Sequence, residues 1–456
     1  MYDLLIVGAG AAGLTCAYTA NGLGKKVLLL DRSLPGGTCT WSGCMPSKAL
    51  INIGKDIHVA KKYYSSLEID TAKIMSDVRG IIDEVYSHES PEVLAKDGIT
   101  FKQGISIKLI EPKIVLVDEV KYHGKNIVIS TGTSPFIPPL EGLDKIDYLT
   151  NQNLFQLEKL PKSMIILGGG AIGVEMAQCL NRLGTEVHLI ERSSRMFIRE
   201  SEELVNILSE ILIKEGVNIH VNTTSTSVTK NDGLISLNVE TNGEPKRIEA
   251  EAILVSIGRV PNIKGLGLDE LGIKYNRKGI EVDDYLRTNI HNIYGVGDIV
   301  GPYQFSHMAN YQGILAVKNM FLPLKKKVDY SNISWCTFTS PELASRGIPD
   351  PKKRETKIYS YGRGDSERTL TKKGDIFELR VETNHKKEIL EVKLLAERAG
   401  EIISSFQIAA KNHLTLDKFS SVIFPHPSYS EILGSLGKKA YVDKLLENPL
   451  IKIFTK

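Results

Sequence analysis

Two stretches of this chain repeat one pattern of apolar, small and polar positions at an offset of 160 residues. Tyr2 to Asp31 reads YDLLIVGAGAAGLTCAYTANGLGKKVLLLD, and Lys162 to Glu191 reads KSMIILGGGAIGVEMAQCLNRLGTEVHLIE. In each, an apolar run of strand character enters Gly-x-Gly-x-x-Gly. A segment of helix character rich in small residues follows, and a Leu-Gly turn leads into a second apolar strand that ends in an acid. The glycines are Gly8, Gly10 and Gly13, then Gly168, Gly170 and Gly173, and the acids Asp31 and Glu191 lie 18 residues past the third glycine in both. A third apolar run, Tyr294-Gly295-Val296-Gly297-Asp298, also ends in Gly-Asp. Further along, Ile376 to Glu382 has strand character and Ala399 to Asn412 helix character, which suits an α+β domain.

A dinucleotide explains the doubled pattern. The first glycine makes the tight turn, the second lets backbone approach the pyrophosphate, and the third lets helix pack on strand. The pyrophosphate rests on the helix N-terminus, where free N–H groups and the helix dipole favour an anion, and the acid accepts from ribose hydroxyls. One such match is weak, because glycine turns arise for conformational reasons alone. Two copies with strand, helix and acid in place predict two bound dinucleotides.

Composition narrows the class. At roughly 100 to 200 residues per domain, 456 residues allow about three domains, and 42% hydrophobic with 24% charged residues is ordinary for a globular protein. Lys plus Arg is 57 against 54 for Asp plus Glu, a net charge of +3 that gives no reason to expect nucleic acid. The basic runs Lys325-Lys326-Lys327 and Lys352-Lys353-Arg354 lack interleaved aromatics and read as solvated surface. The most apolar span, Leu4 to Ala20, is rich in Gly and Ala and belongs to the first repeat instead of a membrane helix. That strand begins too early to leave room for a targeting peptide, so the expected location is cytoplasmic. Five cysteines do not make a secreted disulfide framework.

The chemistry concentrates in Gly36-Gly37-Thr38-Cys39-Thr40-Trp41-Ser42-Gly43-Cys44-Met45-Pro46-Ser47-Lys48. Two cysteines five residues apart in one ideal helix stand roughly 8.6 Å apart at Cα, whereas a disulfide needs less than about 7 Å. If they bridge, the segment is a distorted turn entering a helix, as Gly43 and Pro46 suit. A thiol at a helix N-terminus is acidified by the dipole. Zinc would require two more ligands at short spacing, and Cys16, Cys179, Cys336 and the ten histidines offer no such pair, so redox chemistry is favoured over a metal. Cys16 and Cys179 fall at helix-core positions and read as packing residues.

The order of these segments, closed by His426-Pro427-Ser428-Tyr429-Ser430-Glu431, resembles the group I pyridine nucleotide-disulfide oxidoreductases along essentially the whole chain. The family includes dihydrolipoamide dehydrogenase, glutathione reductase and mercuric reductase. The resemblance implies an α/β fold: two Rossmann-like domains for FAD and NAD(P) and a C-terminal α+β dimerisation domain. Its expected bounds are 1–143 for the first part of the FAD domain, 144–266 for the NAD(P) domain, 267–332 for the FAD/central region and 333–456 for dimerisation.

It further implies that Cys39 exchanges with substrate, that Cys44 faces the flavin and forms the charge-transfer thiolate, and that Asp298 contacts the ribityl chain. Lys48 would lie near the flavin, paired with Glu175, and Thr38, Gly132 and Gly258 would be cofactor contacts. His426, held by Glu431, would carry the thiol proton into the partner subunit of a homodimer, and His307 is a candidate flavin neighbour. Asp31 departs from the usual Glu by one methylene. Gly173 with Glu191 favours NAD over NADP, since a carboxylate there repels a 2′-phosphate, although Arg192 and Arg195 stand close by in sequence.

Among activities, the resemblance points first to dihydrolipoamide dehydrogenase, acting on a small-molecule or lipoyl-domain disulfide, with a 2-oxoacid dehydrogenase complex as a possible partner. The alternative is a reductase of another small disulfide, similar to glutathione reductase or mercuric reductase. No cysteine follows Cys336, where mercuric reductases carry further thiols. Thr40-Trp41-Ser42 and the glycine-poor Glu391 to Glu401 are unusual for a dihydrolipoamide dehydrogenase. A flavoprotein serving mainly as a binding subunit could dispense with Cys39, Cys44 or His426, and all three are present.

Overall fold

A computed structural model describes residues 1–64, 66–347, 356–365, 367–371, 376–447 and 451. The chain forms two compact units, Met1–Arg192 with His220–Val328, and Ser193–Ile219 with Asp329–Lys456.

The first unit is built on the two repeated patterns. Strand Tyr2–Val7 runs parallel to Val27–Asp31 on one side, with Leu4 opposite Val27 and Val7 opposite Leu30, and to Val120–Ile129 on the other. Thr100–Gln103 and Ile293–Gly295 extend this parallel sheet at its two ends. Leu4, Leu5 and Ile6 are all fully buried. The run is continuously apolar because parallel strands are covered on both faces. The second repeat forms its own parallel sheet, with Ser163–Leu167 between Glu186–Ile190 and Ala252–Val255.

An antiparallel meander, Thr223–Asn231, Leu234–Thr241 and Glu244–Ala250, precedes the last of these strands and buries Val228, Ile235, Leu237 and Val239 against Ile165 and Ile190. The sequence reading did not foresee this meander. Its outer strands carry few apolar residues on their buried positions, Val228 beside Thr223 in one and Ile248 and Ala250 in the other.

The second unit is α+β. Its antiparallel sheet has the order Ser334–Thr337, Glu342–Arg346, Ile389–Ala396, Phe377–Thr383 and Lys357–Gly362. Phe377, Leu379 and Val381 point to one face, as the period of two requires. They meet Ile402, Ile403 and Phe406 of the helix Ala399–Lys411. The expected strand and helix thus form within one residue of the predicted bounds.

Of the basic runs, Lys325 donates to the Asn319 and Leu322 carbonyls at 2.6 and 2.7 Å, and Lys327 pairs with Asp284 at 2.8 Å. Lys352-Lys353-Arg354 lies outside the described residues. Among the described residues no helix is long and apolar enough to cross a membrane. Among them, too, no group of three or more His, Cys, Asp or Glu is placed to hold a metal ion.

Candidate flavin, nucleotide and dithiol site

Steric facts explain the two glycine turns. A Cβ on Gly13 would lie 1.8 Å from the Gly8 carbonyl oxygen, and one on Gly173 would lie 2.0 Å from that of Gly168. Only glycine lets each helix, Ala11–Gly22 and Ala171–Arg182, start so close to its strand. Gly10 and Gly170 cap these helices with extended backbone and no side-chain cap, so the first-turn N–H groups remain available to an anion. The acids close each turn. Asp31 Oδ2 accepts from the Ala9 N–H at 2.5 Å and its Oδ1 from Ser33 at 2.8 Å, and Glu191 Oε2 accepts from the Gly169 N–H at 2.7 Å. Burial pushes the Asp31 carboxyl up from its ordinary value, against these hydrogen bonds. Both cradles fit a dinucleotide pyrophosphate: space where a side chain would intrude, with unspent donors at its edge.

The cysteines occupy two helices, not one. Gly37–Ser42 ends at Gly43, whose backbone (φ −134°, ψ −109°) breaks the path, and Cys44–Lys61 begins immediately after. A Cβ on Gly43 would fall 2.7 Å from the Thr38 carbonyl oxygen, so the break requires glycine. The ideal-helix separation therefore does not apply. Cys39 and Cys44 are free, partly buried thiols, and their side chains interact with each other.

This contact, helped by Ser306 Oγ at 3.2 Å and the Lys48 charge, and opposed by burial, lowers the Cys44 thiol to about 6. The same contact, together with burial, pushes Cys39 up. The pair is thus polarised: the thiolate is favoured on Cys44 and the proton on Cys39.

Around this pair the unit assembles residues far apart in sequence. Lys48, one turn beyond Cys44, pairs with Glu175 at 3.0 Å; the Glu175 side chain is only 7% exposed. Asp298, in the turn Gly297–Ile299, accepts from Thr133 Oγ1 at 3.2 Å, and burial raises its carboxyl against the pull of Arg259. Gly132 and Gly258, both at positive φ, precede the paired strands Thr133–Pro135 and Arg259–Pro261.

Arg259 was not foreseen. Its guanidinium donates to Thr133 Oγ1 and to the Thr133 carbonyl, both at 2.7 Å, and to Asn151 Oδ1 at 3.4 Å. Asn151 Nδ2 in turn donates to the Ser42 carbonyl at 3.0 Å. A hydrogen-bonded path therefore runs from the dithiol loop to Asp298. The available signal was a cation placed directly after the apolar run that ends at Gly258. Ser306 was likewise missed. Its neighbour His307 stacks on Phe305 at 5.2 Å between centroids.

In the second unit, His426 Nδ1 lies 2.8 Å from Glu431 Oε2, at the start of the helix Glu431–Glu447. The other ring nitrogen, Nε2, lies 3.2 Å from Glu367 Oε2, a second carboxylate absent from the sequence reading. The ring is 62% exposed. The structure groups Cys39, Cys44, Lys48, Glu175 and Asp298 in one unit and His426 with Glu431 in the other.

Residues 2–313 match the family described as pyridine nucleotide-disulphide oxidoreductase, and residues 333–436 match its dimerisation domain. The chain belongs to this family. The oxidoreductase is 30% identical over 446 residues to a mercuric reductase of Lysinibacillus sphaericus, covering 94% of this chain and 81% of that relative. It is 28% identical over 475 residues to a dihydrolipoyl dehydrogenase of Rhizobium etli, covering 96% and 98%.

Among solved structures, the HOCl-induced flavoprotein disulfide reductase RclA of Escherichia coli, determined as its Cu(II) complex, superposes with a TM-score of 0.86 at 25% identity. That match covers 96% of this chain and 99% of RclA. The enzyme is therefore a group I oxidoreductase, FAD-dependent, with NAD(P)H as electron donor, and its dimerisation domain supports a homodimer.

Proposed function

We propose that the enzyme passes electrons between NAD(H) and a small disulfide or dithiol through Cys39 and Cys44, with lipoamide the first substrate to consider. The polarisation of the pair carries this reading. Bound FAD and nicotinamide nucleotide supply the hydride and electron-pair chemistry. In the reducing direction, Cys39 gives its proton to His426 and its thiolate attacks one substrate sulfur. The substrate S–S bond breaks, and the first substrate thiolate leaves. The Cys44 thiolate then attacks the Cys39 sulfur of the mixed disulfide, forming the Cys39–Cys44 bond and releasing the second thiolate. His426, oriented by Glu431, returns the Cys39 proton to the first departing thiolate, and the second takes its proton from water; in a homodimer His426 serves the partner subunit's dithiol.

NAD is favoured over NADP by the Glu191 carboxylate at the mouth of the second cradle. Arg195 does not offset it, because its guanidinium is committed to the Phe197 and Ile198 carbonyls at 2.9 and 3.0 Å. The 30% identity to a mercuric reductase favours a second reading, in which the same dithiol delivers electrons to Hg(II).

One assay separates these: oxidation of NADH, and in parallel NADPH, by the purified holoenzyme with lipoamide, glutathione disulfide or Hg(II). Turnover of lipoamide with NADH, abolished by the double variant Cys39→Ser and Cys44→Ser, is the expected result. Full function in the double variant would overturn the thiol mechanism.

A further inference from the structure

The residues between the cysteines are tied down one by one. Thr40 Oγ1 donates to Glu89 Oε2 at 2.7 Å. Trp41 Nε1 donates to the Pro35 carbonyl at 2.8 Å, and its ring lies against Tyr86 with centroids 4.7 Å apart. Tyr86 is in the last turn of the helix Thr71–Ser87, and Glu89 lies just past its end. The helix end and the dithiol loop are therefore joined by an aromatic contact and a hydrogen bond, with a carboxylate at the join.

That carboxylate has a fixed place. Its partner Thr40 is buried, and a Cβ built on Gly36 would come within 2.9 Å of Glu89 Oε2, so the charge abuts the turn that starts the Cys39 helix. Thr40, from which it accepts, directly follows Cys39 in the chain. Behind the interaction with Cys44, burial and the Cys44 charge, and with Ser306 acting the other way, the Glu89 charge adds to holding the Cys39 thiol protonated. Lys48, by contrast, acts on Cys44. Cys39, the sulfur read above as the one that meets substrate, thus lies between two chain positions, Gly36 and Thr40, that the fixed carboxylate abuts.

We propose that Glu89 is a specificity-determining residue that sets a negative charge beside Cys39, selecting against disulfides that carry carboxylates and in favour of neutral or cationic ones. The inference rests on Cys39 being the substrate-facing thiol. Bond exchange itself does not need Glu89; the charge acts on the approach and on the developing thiolate. One unit charge several ångströms from another, in partly screened surroundings, changes a rate by about threefold to tenfold.

Glu89→Gln is the decisive variant, since the amide oxygen still accepts from Thr40 while the charge is gone. In the reduced holoenzyme, Cys39 is alkylated with iodoacetate or iodoacetamide at low salt and the modified site is identified by peptide mapping. The ratio of the anionic to the neutral rate is expected to rise by about threefold to tenfold in Glu89→Gln. In the unaltered enzyme the same ratio is expected to climb with added salt. A ratio unmoved by both the substitution and salt overturns the proposal.

Turnover supplies the second arm: kcat/KM for glutathione disulfide relative to the uncharged 2-hydroxyethyl disulfide should rise by a similar factor in Glu89→Gln. Turnover with an unchanged ratio removes the role of Glu89 and leaves the disulfide activity standing. A shifted alkylation ratio without turnover of any disulfide supports Glu89 and overturns the proposed activity.

Discussion

At Gly8 to Asp31 and again at Gly168 to Glu191 the chain builds one turn twice, with φ of +112° and +109° at the first glycine and the same forbidden Cβ position at the third. The two cradles differ in a matched pair of residues. In the first, the residue whose N–H meets the acid is Ala9, fully buried, and the acid is the shorter Asp31. In the second that residue is Gly169, and the acid is Glu191. A Cβ on Gly169 would sit 3.0 to 3.1 Å from the Glu191 side chain. A methyl on one side and a methylene on the other compete for the same space, which accounts for the aspartate in the first cradle.

The helices differ as well: Ala11–Gly22 carries no charged residue, whereas Ala171–Arg182 carries Glu175, the partner of Lys48. The same cradle is thus a holder of one cofactor in the first copy and, in the second, also a link to the dithiol helix.

The comparison breaks most completely at the third glycines. Gly13→Ala should yield protein without flavin, seen as loss of the yellow colour. Gly173→Ala should keep its flavin, still reducible by dithionite, yet lose reduction by NADH by at least about 100-fold, or roughly 2.7 kcal/mol. Flavin loss from both variants alike would refute the division of labour between the copies.

A smaller effect is expected at the link. Lys48→Met takes the cation away from the buried Glu175 and should cost about 1 to 3 kcal/mol in denaturant unfolding. It also removes a charge that lowers Cys44. In the dithiol form the folded-state value of about 6 lies below the ordinary 9.0. The stability from this thiolate is therefore complete above about pH 9 and is lost as pH falls through about 6. In Lys48→Met that loss should begin at higher pH, and thiolate absorbance of the reduced protein should titrate upward with it. An unchanged thiolate titration would show that Lys48 has no hold on Cys44.

The smallest effect tests the matched pair. Asp31→Glu should weaken FAD retention by about tenfold and Ala9→Gly in the same chain should restore it, a coupling of about 1 kcal/mol. Additive effects, measured as flavin released on dialysis, would mean the two side chains do not compete.

Both cradles, the strand beginning near Phe377, the helix from Ala399 and the break at Gly43 were legible in the sequence. Each depends on backbone sterics and periodicity within one short stretch, so residue type and spacing alone determine it. The meander Thr223–Ala250 was not legible, because its two outer strands bury few apolar residues, Val228 in one and Ile248 and Ala250 in the other. Nor were the partners of the reactive groups: Ser306 lies 262 positions from Cys44, Arg259 lies 126 from Thr133, and Glu367 meets His426 from a separate helix. The sequence by itself determined which chemistry-bearing residues the chain has and the local turns that present them. The family resemblance already implied Cys44 as the thiolate, Lys48 with Glu175 and His426 with Glu431; the contacts of Ser306, Arg259 and Glu367 and the place of Glu89 were decided by the tertiary structure alone, because ionisation responds to burial and to charges in space, whatever their distance along the chain.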